Sequence, residues 1–323
     1  MNTSSRPKIV FIEPKSPNLH IFSKFVIPRL GTLILATIMK KLGWDARVII
    51  EENEELDFEC IESADIVGIS TITSTAPRAY TLADQIRELG IPVIMGGPHV
   101  TYLPEEALEH CDFVFRGEAE TALPLFIREW QTNRNFSEIP NLSFKSDGKI
   151  IHNPIGKLNE NLDSLPYPDF SLIKNGINRT FGYKIVPFQT SRGCPFHCEF
   201  CSVTGMFGKK LRYRSTENII NELKAYDDKK NIVFFYDDNF TANRKRAKEL
   251  LKAMIKEQFK FQWSTQVRAD VANDPELVKL MREAGCSTVF IGFESIDAEN
   301  LKGMKKEQSV DEIKNAIKLL DKN

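Results

Sequence analysis

Three of the six cysteines of the chain stand close together, as Cys194, Cys198 and Cys201 in a C-x3-C-x2-C spacing. Thiolates at this density can surround one compact metal centre, and a [4Fe–4S] cluster is held by cysteine thiolates. Three cysteines for four irons leave one iron without a protein ligand. The spacing therefore predicts a cluster with one position open to substrate or cofactor.

Zinc is the main alternative for this cysteine loop, with His197 as a fourth ligand. Structural zinc sites usually draw their ligands from two separated pairs, and no second Cys/His pair follows nearby. Three unrelated structural cysteines within eight residues would be improbable. The pattern favours iron–sulfur over zinc.

Composition limits the classes of protein to which the chain can belong. Its 323 residues suggest two domains, and 42% hydrophobic with 27% charged residues is typical of a globular protein. The net charge of −1 gives no reason to expect a nucleic-acid or membrane surface. No signal peptide or membrane span is evident, so we expect a cytoplasmic protein with small-molecule partners.

The first part of the chain alternates between apolar runs and helical patterns. The runs are mostly continuous, as in strands that are buried on both faces. They are Lys8–Glu13, Ala46–Ile50, Ile66–Ser70, Val93–Met95 and Phe113–Phe115. The helical patterns are Leu30–Leu42, Pro77–Leu89, Pro104–His110 and Thr121–Trp130. This alternation predicts a doubly wound parallel sheet over residues 7–131.

Ligands bind beyond the carboxyl ends of the strands in such sheets. The loops at those ends are Pro14–Asn18, Ser70–Thr75, Gly96–His99 and Arg116–Glu120. Their small and hydroxyl residues allow the backbone to approach a bulky ligand and supply hydrogen-bond donors. For any one loop taken alone, a simple turn is the favoured interpretation.

Residues 132–184 are predicted to form a linker that contains a hairpin. Asn141–Phe144 and Lys149–Asn153 flank Asp147-Gly148, a dipeptide suited to a tight turn. Leu165–Asp169 contains two prolines and should be extended.

A second βα alternation is predicted over residues 185–323. Its strands are Ile185–Thr190, Ile232–Tyr236, Phe261–Val267 and Thr288–Gly292, and its helices are Ser215–Tyr226, Lys245–Glu257, Pro275–Ala284 and Val310–Leu320. Polar residues at strand carboxyl ends form the active sites of βα barrels, so we expect Asp238, Arg268 and Glu294 to converge on the cysteine loop. The alternative for each is a helix cap or an ion pair.

The cysteine loop, with Phe200 just before the last cysteine, resembles the signature of radical S-adenosylmethionine (radical SAM) enzymes. The resemblance implies that the open iron chelates the amino and carboxylate groups of SAM. Reductive cleavage would then give methionine and a 5′-deoxyadenosyl radical, which abstracts hydrogen from an unactivated C–H bond. It also implies SAM contacts from Arg268 and Glu294, and Phe200 and Asp238 are assigned to the same site.

The first segment resembles the cobalamin-binding domain of cobalamin-dependent radical SAM enzymes. Pro28–Gly31, Val67–Ser70, Gly96–His99 and Arg116–Glu120 carry the resemblance, together with the Leu-Pro-x-Pro-Asp linker. It implies a flavodoxin-like sheet and then a partial TIM-like radical SAM barrel. The implied cobalamin-binding residues are Ser70, Thr71, Gly96, Gly97, Gly117 and Glu118.

The implied function is methylation of an unactivated carbon of a small molecule, with electrons from an external flavodoxin-type or ferredoxin-type reductant. Cyclisation or oxidation without methyl transfer is an alternative. Barrels of this family typically have six βα units and four are predicted here, so the chain is interpreted as truncated. A non-catalytic module that binds cobalamin or a cluster is therefore a further alternative, and a zinc-stabilised binding protein is another.

Overall fold

A computed structural model describes residues 6–17, 26–177, 179–180 and 182–322 of the chain. The chain divides into a first unit, residues 1–159 and 165–178, and a second unit, residues 160–164 and 179–323. The predicted loop Pro14–Asn18 ends at Asn18, which lies outside the described residues. The domain boundaries after residues 131 and 184 remain predictions.

The apolar runs of the first unit pair into one sheet. Its strands are β1 (Lys8–Glu13), β2 (Asp45–Ile50), β3 (Ile66–Ser70), β4 (Val93–Gly96), β5 (Phe113–Phe115), β6 (Leu142–Ser146) and β7 (Lys149–His152). The strand order is β2-β1-β3-β4-β5-β6-β7, and the first five strands are parallel. The order 2-1-3-4-5 is that of flavodoxin-like sheets, which confirms the predicted fold of this segment.

Helices cover both faces of this sheet. They are α1 (Leu30–Lys41), α2 (Phe58–Glu62), α3 (Ala76–Glu88), α4 (Pro98–Tyr102), α5 (Pro104–His110) and α6 (Ala122–Gln131). Leu33 of α1 and Phe126 of α6 belong to one buried cluster, whereas Leu82 of α3 and Leu108 of α5 belong to another. Two cores explain why the strands are apolar at successive positions rather than at alternate ones.

The predicted hairpin is present and continues the first sheet. Asp147 and Gly148 have φ angles of 50° and 73°, as a tight turn with two left-handed residues requires. Strand β6 pairs antiparallel with β5 and with β7. The hairpin therefore extends the parallel sheet by two antiparallel strands.

The second unit contains a five-stranded sheet and a short ribbon. The strands are β8 (Arg179–Thr180), β9 (Tyr183–Phe188), β10 (Ser191–Arg192), β11 (Arg212–Tyr213), β12 (Asn231–Phe235), β13 (Gln262–Val267) and β14 (Cys286–Ile291). The sheet order is β14-β13-β12-β9-β8, with four parallel strands and an antiparallel β8, while β10 and β11 pair separately. The four parallel strands are those expected for the partial barrel.

Helices follow the strands of the second unit. They are α7 (Val203–Phe207), α8 (Thr216–Leu223), α9 (Arg244–Glu257), α10 (Pro275–Glu283), α11 (Ala298–Gly303) and α12 (Val310–Asp321). Within the described ranges, no helix is both long enough and apolar enough to cross a membrane.

The two faces of the second sheet differ. Val233 and Phe235 of β12 are fully buried in a cluster that includes Leu223 of α8 and Leu250 of α9. Phe234 points to the opposite face, where its ring contacts those of Tyr236 and Phe290. Tyr236 is 40% exposed and Phe290 is 46% exposed. One face thus packs against helices, and the other presents aromatic side chains, as the inner face of a partial barrel does.

Candidate active site

The cysteine loop follows β10 at the carboxyl end of the second sheet. Gly193, which opens it, has φ 92°, and a Cβ atom there would lie 2.7 Å from the carbonyl oxygen of Lys210. Only glycine combines this backbone angle with so close an approach. The amide of Cys194 donates to the carbonyl of Gly208 at 3.4 Å, and that of Cys201 donates to the carbonyl of Cys198 at 3.1 Å. The loop is therefore held by its own backbone and by the segment before β11.

All three cysteines of the loop are free and half-buried. Burial raises the pKa of the Cys194 thiol above its ordinary value. Within the described part of the chain, no three His, Cys, Asp or Glu side chains are grouped closely enough to hold a single metal ion.

Arg268 follows β13 and reaches the cysteine loop. Its Nη1 lies 3.7 Å from the Sγ of Cys198, and its guanidinium stacks 3.8 Å from the centre of the Phe196 ring. Its Nη2 donates to the carbonyl oxygens of Lys306 and, at 3.0 Å, of Glu307. Arg268 is 7% exposed, so these contacts fix a buried positive charge beside a cysteine sulfur.

Glu294 follows β14 with a left-handed backbone, at φ 62°. Its Oε1 lies 3.1 Å from the Nζ of Lys306, and that ammonium also lies 5.5 Å from the centre of the Phe200 ring. Arg268, Glu294 and Phe200, which were predicted from the sequence to share a site, thus all contact Lys306. Sequence reasoning missed Lys306, because its Lys-Lys-Glu context is typical of a solvated surface.

Two adjacent aspartates at the end of β12 have different environments. Burial, reinforced by the neighbouring Asp237, raises the pKa of Asp238 to about 7. Asp237 is fully buried and accepts hydrogen bonds from the Thr190 amide and hydroxyl, both at 3.1 Å, and from the Ser191 hydroxyl. Asp237 therefore fixes the turn between β9 and β10, a role that the sequence did not indicate.

The residues predicted to bind cobalamin lie at the carboxyl end of the first sheet. The Thr71 amide donates to the Gly96 carbonyl at 2.8 Å. Gly97 has φ 103°, and a Cβ atom there would lie 2.5 Å from the Thr71 carbonyl oxygen, so this position requires glycine. Arg29 holds Ser70, the residue before Thr71, because the Arg29 Nη1 donates to the Ser70 carbonyl at 2.6 Å. The ends of β3 and β4 are thus in direct contact.

Thr101 connects this pair of loops to the loop after β5. Its hydroxyl donates to the Gly97 carbonyl at 2.8 Å and accepts from the Gly117 amide at 3.0 Å. The Glu118 carbonyl accepts from the Asn141 side chain at 2.7 Å. The three predicted loops therefore form one connected edge, in which Thr101 was not foreseen.

Two family models match the chain, the radical SAM superfamily over residues 188–323 and the B12 binding domain over residues 21–127. An uncharacterized methyltransferase of Pyrococcus horikoshii is 35% identical over 308 residues, which cover 90% of this chain and 67% of that protein. The chain belongs to the cobalamin-dependent radical SAM family. The predicted family is thereby confirmed.

A second relative and a solved structure match a similar share of this radical SAM protein. The bacteriochlorophyllide d C-12(1)-methyltransferase of Chlorobaculum tepidum is 29% identical over 307 residues, or 94% of this chain and 63% of that protein. The solved structure of the radical SAM methyltransferase TsrM from Kitasatospora setae, with cobalamin and a [4Fe–4S] cluster bound, covers 98% of this chain and 65% of its own, at 17% identity and TM-score 0.79. The latter likeness shows the fold. The chain spans about two thirds of the length of these proteins.

Family membership implies a [4Fe–4S] cluster, SAM and cobalamin as cofactors, and the donor atoms of the cysteine loop fit the cluster. Cys194, Cys198 and Cys201 would hold the cluster as thiolates, which is the ligand type that iron–sulfur clusters take. Three free thiols, none in a disulfide, together with a guanidinium beside Cys198, suit an anionic cluster of this kind.

The loop after β3 fits a bulky polar ligand. The Thr71 side chain is 0% exposed, and its hydroxyl has no hydrogen-bond partner among the described residues. A buried hydroxyl without a partner is costly, and a polar group of a bound ligand could supply one. This edge of the first sheet therefore fits the cobalamin that the B12-binding domain implies.

Proposed function

We propose that this chain binds a [4Fe–4S] cluster, SAM and cobalamin, and that it starts radical chemistry that methylates an unactivated carbon of a small molecule. The observation that carries the proposal is the cysteine loop itself, with three free thiols and the guanidinium of Arg268 at 3.7 Å from the Cys198 sulfur. The relatives named above are methyltransferases, which supports methyl transfer as the outcome.

When bound, the cofactors supply the electron for SAM cleavage and the methyl group that is transferred. The protein supplies ligands and positioning. Cys194, Cys198 and Cys201 hold the cluster as thiolates, and the positive charge of Arg268 offsets their negative charge. Because its guanidinium is stacked on Phe196 and bonded to two carbonyl oxygens, this charge stays in place.

Four side chains are proposed to contact SAM, namely Phe200, Asp238, Arg268 and Glu294. Arg268 and Glu294 offer a donor fork and an acceptor that match the carboxylate, amino and hydroxyl groups of that molecule. Their positions at the ends of β13 and β14 support this role, since active sites of βα barrels lie at strand carboxyl ends.

Cobalamin is proposed to bind at the carboxyl end of the first sheet, through the loops that contain Ser70, Thr71, Gly96, Gly97, Gly117 and Glu118. Gly97 has no side chain and lies close to Thr71, so backbone is exposed to a ligand at this point of the loops. A backbone without large side chains can approach a macrocycle. The free Thr71 hydroxyl is the side-chain group that we expect to bond the ligand.

The proposed partners are a small-molecule substrate and an external one-electron reductant of flavodoxin or ferredoxin type. The proposed location is the cytoplasm, whose reducing conditions preserve thiols. All six cysteines lie within the described residues, and each of them is free.

Anaerobic reconstitution tests the proposal. The wild type should take up about four irons and four sulfides per chain, and with dithionite and SAM it should form 5′-deoxyadenosine. Cys198→Ala should lose both properties, whereas Cys60→Ala, a cysteine far from the loop in sequence, should keep them. Stoichiometric zinc, or an intact cluster that yields no 5′-deoxyadenosine, would contradict the proposal.

A further inference from the structure

Lys306 is a buried lysine at the point where three of the proposed SAM-site residues meet. It is 8% exposed, which is unusual because lysine is almost never fully buried unless it is paired. It lies between α11 and α12, in the segment 304–308, where Lys305 and Glu307 have left-handed φ angles of 50° and 51°. The backbone on both sides of Lys306 is therefore in a conformation that L-residues rarely adopt.

The segment 304–308 is attached to the cysteine loop and to the end of β14. The amide of Glu199, which adjoins Cys198, donates to the Met304 carbonyl at 3.0 Å, and the Glu199 carboxylate pairs with Lys305. The side chain of Gln308 donates to the carbonyls of Gly292 at 3.3 Å and Phe293 at 3.0 Å. The segment thus connects the cluster loop with the residues just before Glu294.

Lys306 itself contacts the proposed site through both backbone and side chain. Its carbonyl accepts a hydrogen bond from Arg268, whose guanidinium also reaches the Cys198 sulfur. Its ammonium lies 3.1 Å from Glu294 Oε1 and 5.5 Å from the centre of the Phe200 ring. A single residue therefore orders a donor and an acceptor that belong to two different strand ends.

The pairing of Lys306 with Glu294 has an electrostatic consequence. The Lys306 side chain is 9% exposed and that of Glu294 is 32% exposed, so water screens this pair less than it screens a surface pair. Removal of the ammonium would take away the buried cation with which the Glu294 carboxylate pairs. The carboxylate would then be free to turn towards solvent and away from a ligand.

We propose that Lys306 is a positioning residue of the SAM site, which acts by holding the Glu294 carboxylate in the orientation that binds SAM. This inference rests on the proposed function, because it assigns Glu294 to SAM. Lys306 need not contact SAM in this role, and its effect on the ligand passes through Glu294. The Lys306 ammonium pairs with Glu294, and its replacement changes none of the cysteines, so we expect cluster assembly and SAM affinity to respond separately.

The test is the SAM affinity of the reconstituted, reduced full chain. SAM is titrated anaerobically, and the change in the EPR spectrum of the reduced cluster reports ligand binding at the open iron. Lys306→Met should retain the iron content of the wild type and bind SAM about tenfold more weakly or worse, because the Glu294 carboxylate loses the buried cation that orients it. Lys302→Met removes the same charge from an exposed position on α11, and it should bind as the wild type does.

Two further variants test whether Lys306 affects SAM binding through Glu294. In a Glu294→Gln background, Lys306→Met should cause little additional loss, because the carboxylate that it positions is already gone. Lys306→Arg retains a cation and should have most of the SAM affinity of the wild type. If Lys306→Met does not hold the cluster, the SAM affinity of Lys306→Arg tests the inference instead. The inference would be overturned if Lys306→Met bound SAM as tightly as the wild type does. It would also be overturned if Lys306→Met lost as much SAM affinity in the Glu294→Gln background as in the wild type, or if Lys306→Arg recovered none of the affinity.

Failure of the proposed function is distinguishable from failure of this inference. A wild type that holds the cluster but shows no SAM-dependent EPR change would overturn both. A wild type that responds to SAM, with Lys306→Met responding equally, would overturn only the role of Lys306.

Discussion

Arg268 illustrates how single side chains define this site. Its guanidinium has acceptors in two carbonyl oxygens, a stacking partner in Phe196 and a sulfur in Cys198. A flexible lysine could supply the charge but not this combination of contacts, since only guanidinium is planar and forked. The residue is thus suited to place one positive charge beside the proposed cluster.

We expect Arg268→Gln to lower the reduction potential of the reconstituted cluster. Loss of a nearby cation makes addition of an electron less favourable, and a change of about 1.4 kcal/mol corresponds to about 60 mV for one electron. A shift of this order should appear in an EPR-monitored redox titration. Arg282→Gln on the exposed side of α10 serves as the matched control. An unchanged potential in a correctly assembled Arg268→Gln cluster would contradict the proposed role.

Substitution of Gly97 tests whether its close contact with Thr71 is needed for folding and for cobalamin binding. Alanine there would need a left-handed backbone and a Cβ 2.5 Å from the Thr71 carbonyl oxygen. Gly90 has a similar φ of 79° but open space around it, so Gly90→Ala isolates the backbone cost of about 1–2 kcal/mol. Gly97→Ala should destabilise the chain more in thermal unfolding and should lose cobalamin. Equal effects of the two substitutions would show that the contact with Thr71 is unimportant.

The elements of both sheets could largely be predicted because apolar runs and glycine or proline boundaries lie next to one another in the sequence. Helix α5 spans the predicted Pro104–His110, and β5 spans the predicted Phe113–Phe115. The short helices α2, α4, α7 and α11 were missed, since five or six residues carry no readable periodicity. The sequence also identified the hairpin but not its partner, because the pairing of β6 with β5 is non-local.

The turn between β9 and β10 depends on hydrogen bonds that Asp237 accepts from Thr190 and Ser191. Asp237→Ala would leave the buried Thr190 amide and the Ser191 hydroxyl without this acceptor, and Arg246, whose Nη1 donates to Thr190 at 2.8 Å, without a nearby negative charge. Loss of one partner in such a buried network costs about 3–5 kcal/mol.

Thermal or denaturant unfolding measures the effect of Asp237→Ala. Asp311 pairs with Lys314 at 3.8 Å with its side chain 90% exposed, and Asp311→Ala should cost no more than about 1 kcal/mol. Cluster uptake should fall with the first variant and not with the second. If Asp237→Ala and Asp311→Ala lower the free energy of unfolding by the same amount, Asp237 does not hold the turn.

At the scale of the whole molecule, one rule predicts both proposed cofactor sites. Parallel strands bring the loops after their carboxyl ends together, so Ser70 with Gly96, and Arg268 with Glu294, could be grouped from the sequence. The rule does not reach residues that arrive from elsewhere, such as Thr101 from α4 or Lys306 from the segment before α12. Their contacts depend on the folded path of the chain, which no local pattern encodes.

Separate hydrophobic cores lead to a prediction about the complete chain. The first unit has its own buried clusters around Phe126 and Leu82, and the second has one around Trp263. We therefore expect a variant with all three loop cysteines changed to alanine to bind no iron but to retain cobalamin at the wild-type level. Gly97→Ala should show the reverse, with iron retained and cobalamin lost. Iron analysis and the absorption spectrum of released cobalamin measure both quantities on one sample. Loss of both cofactors in either variant would mean that the two units do not fold and bind their cofactors independently.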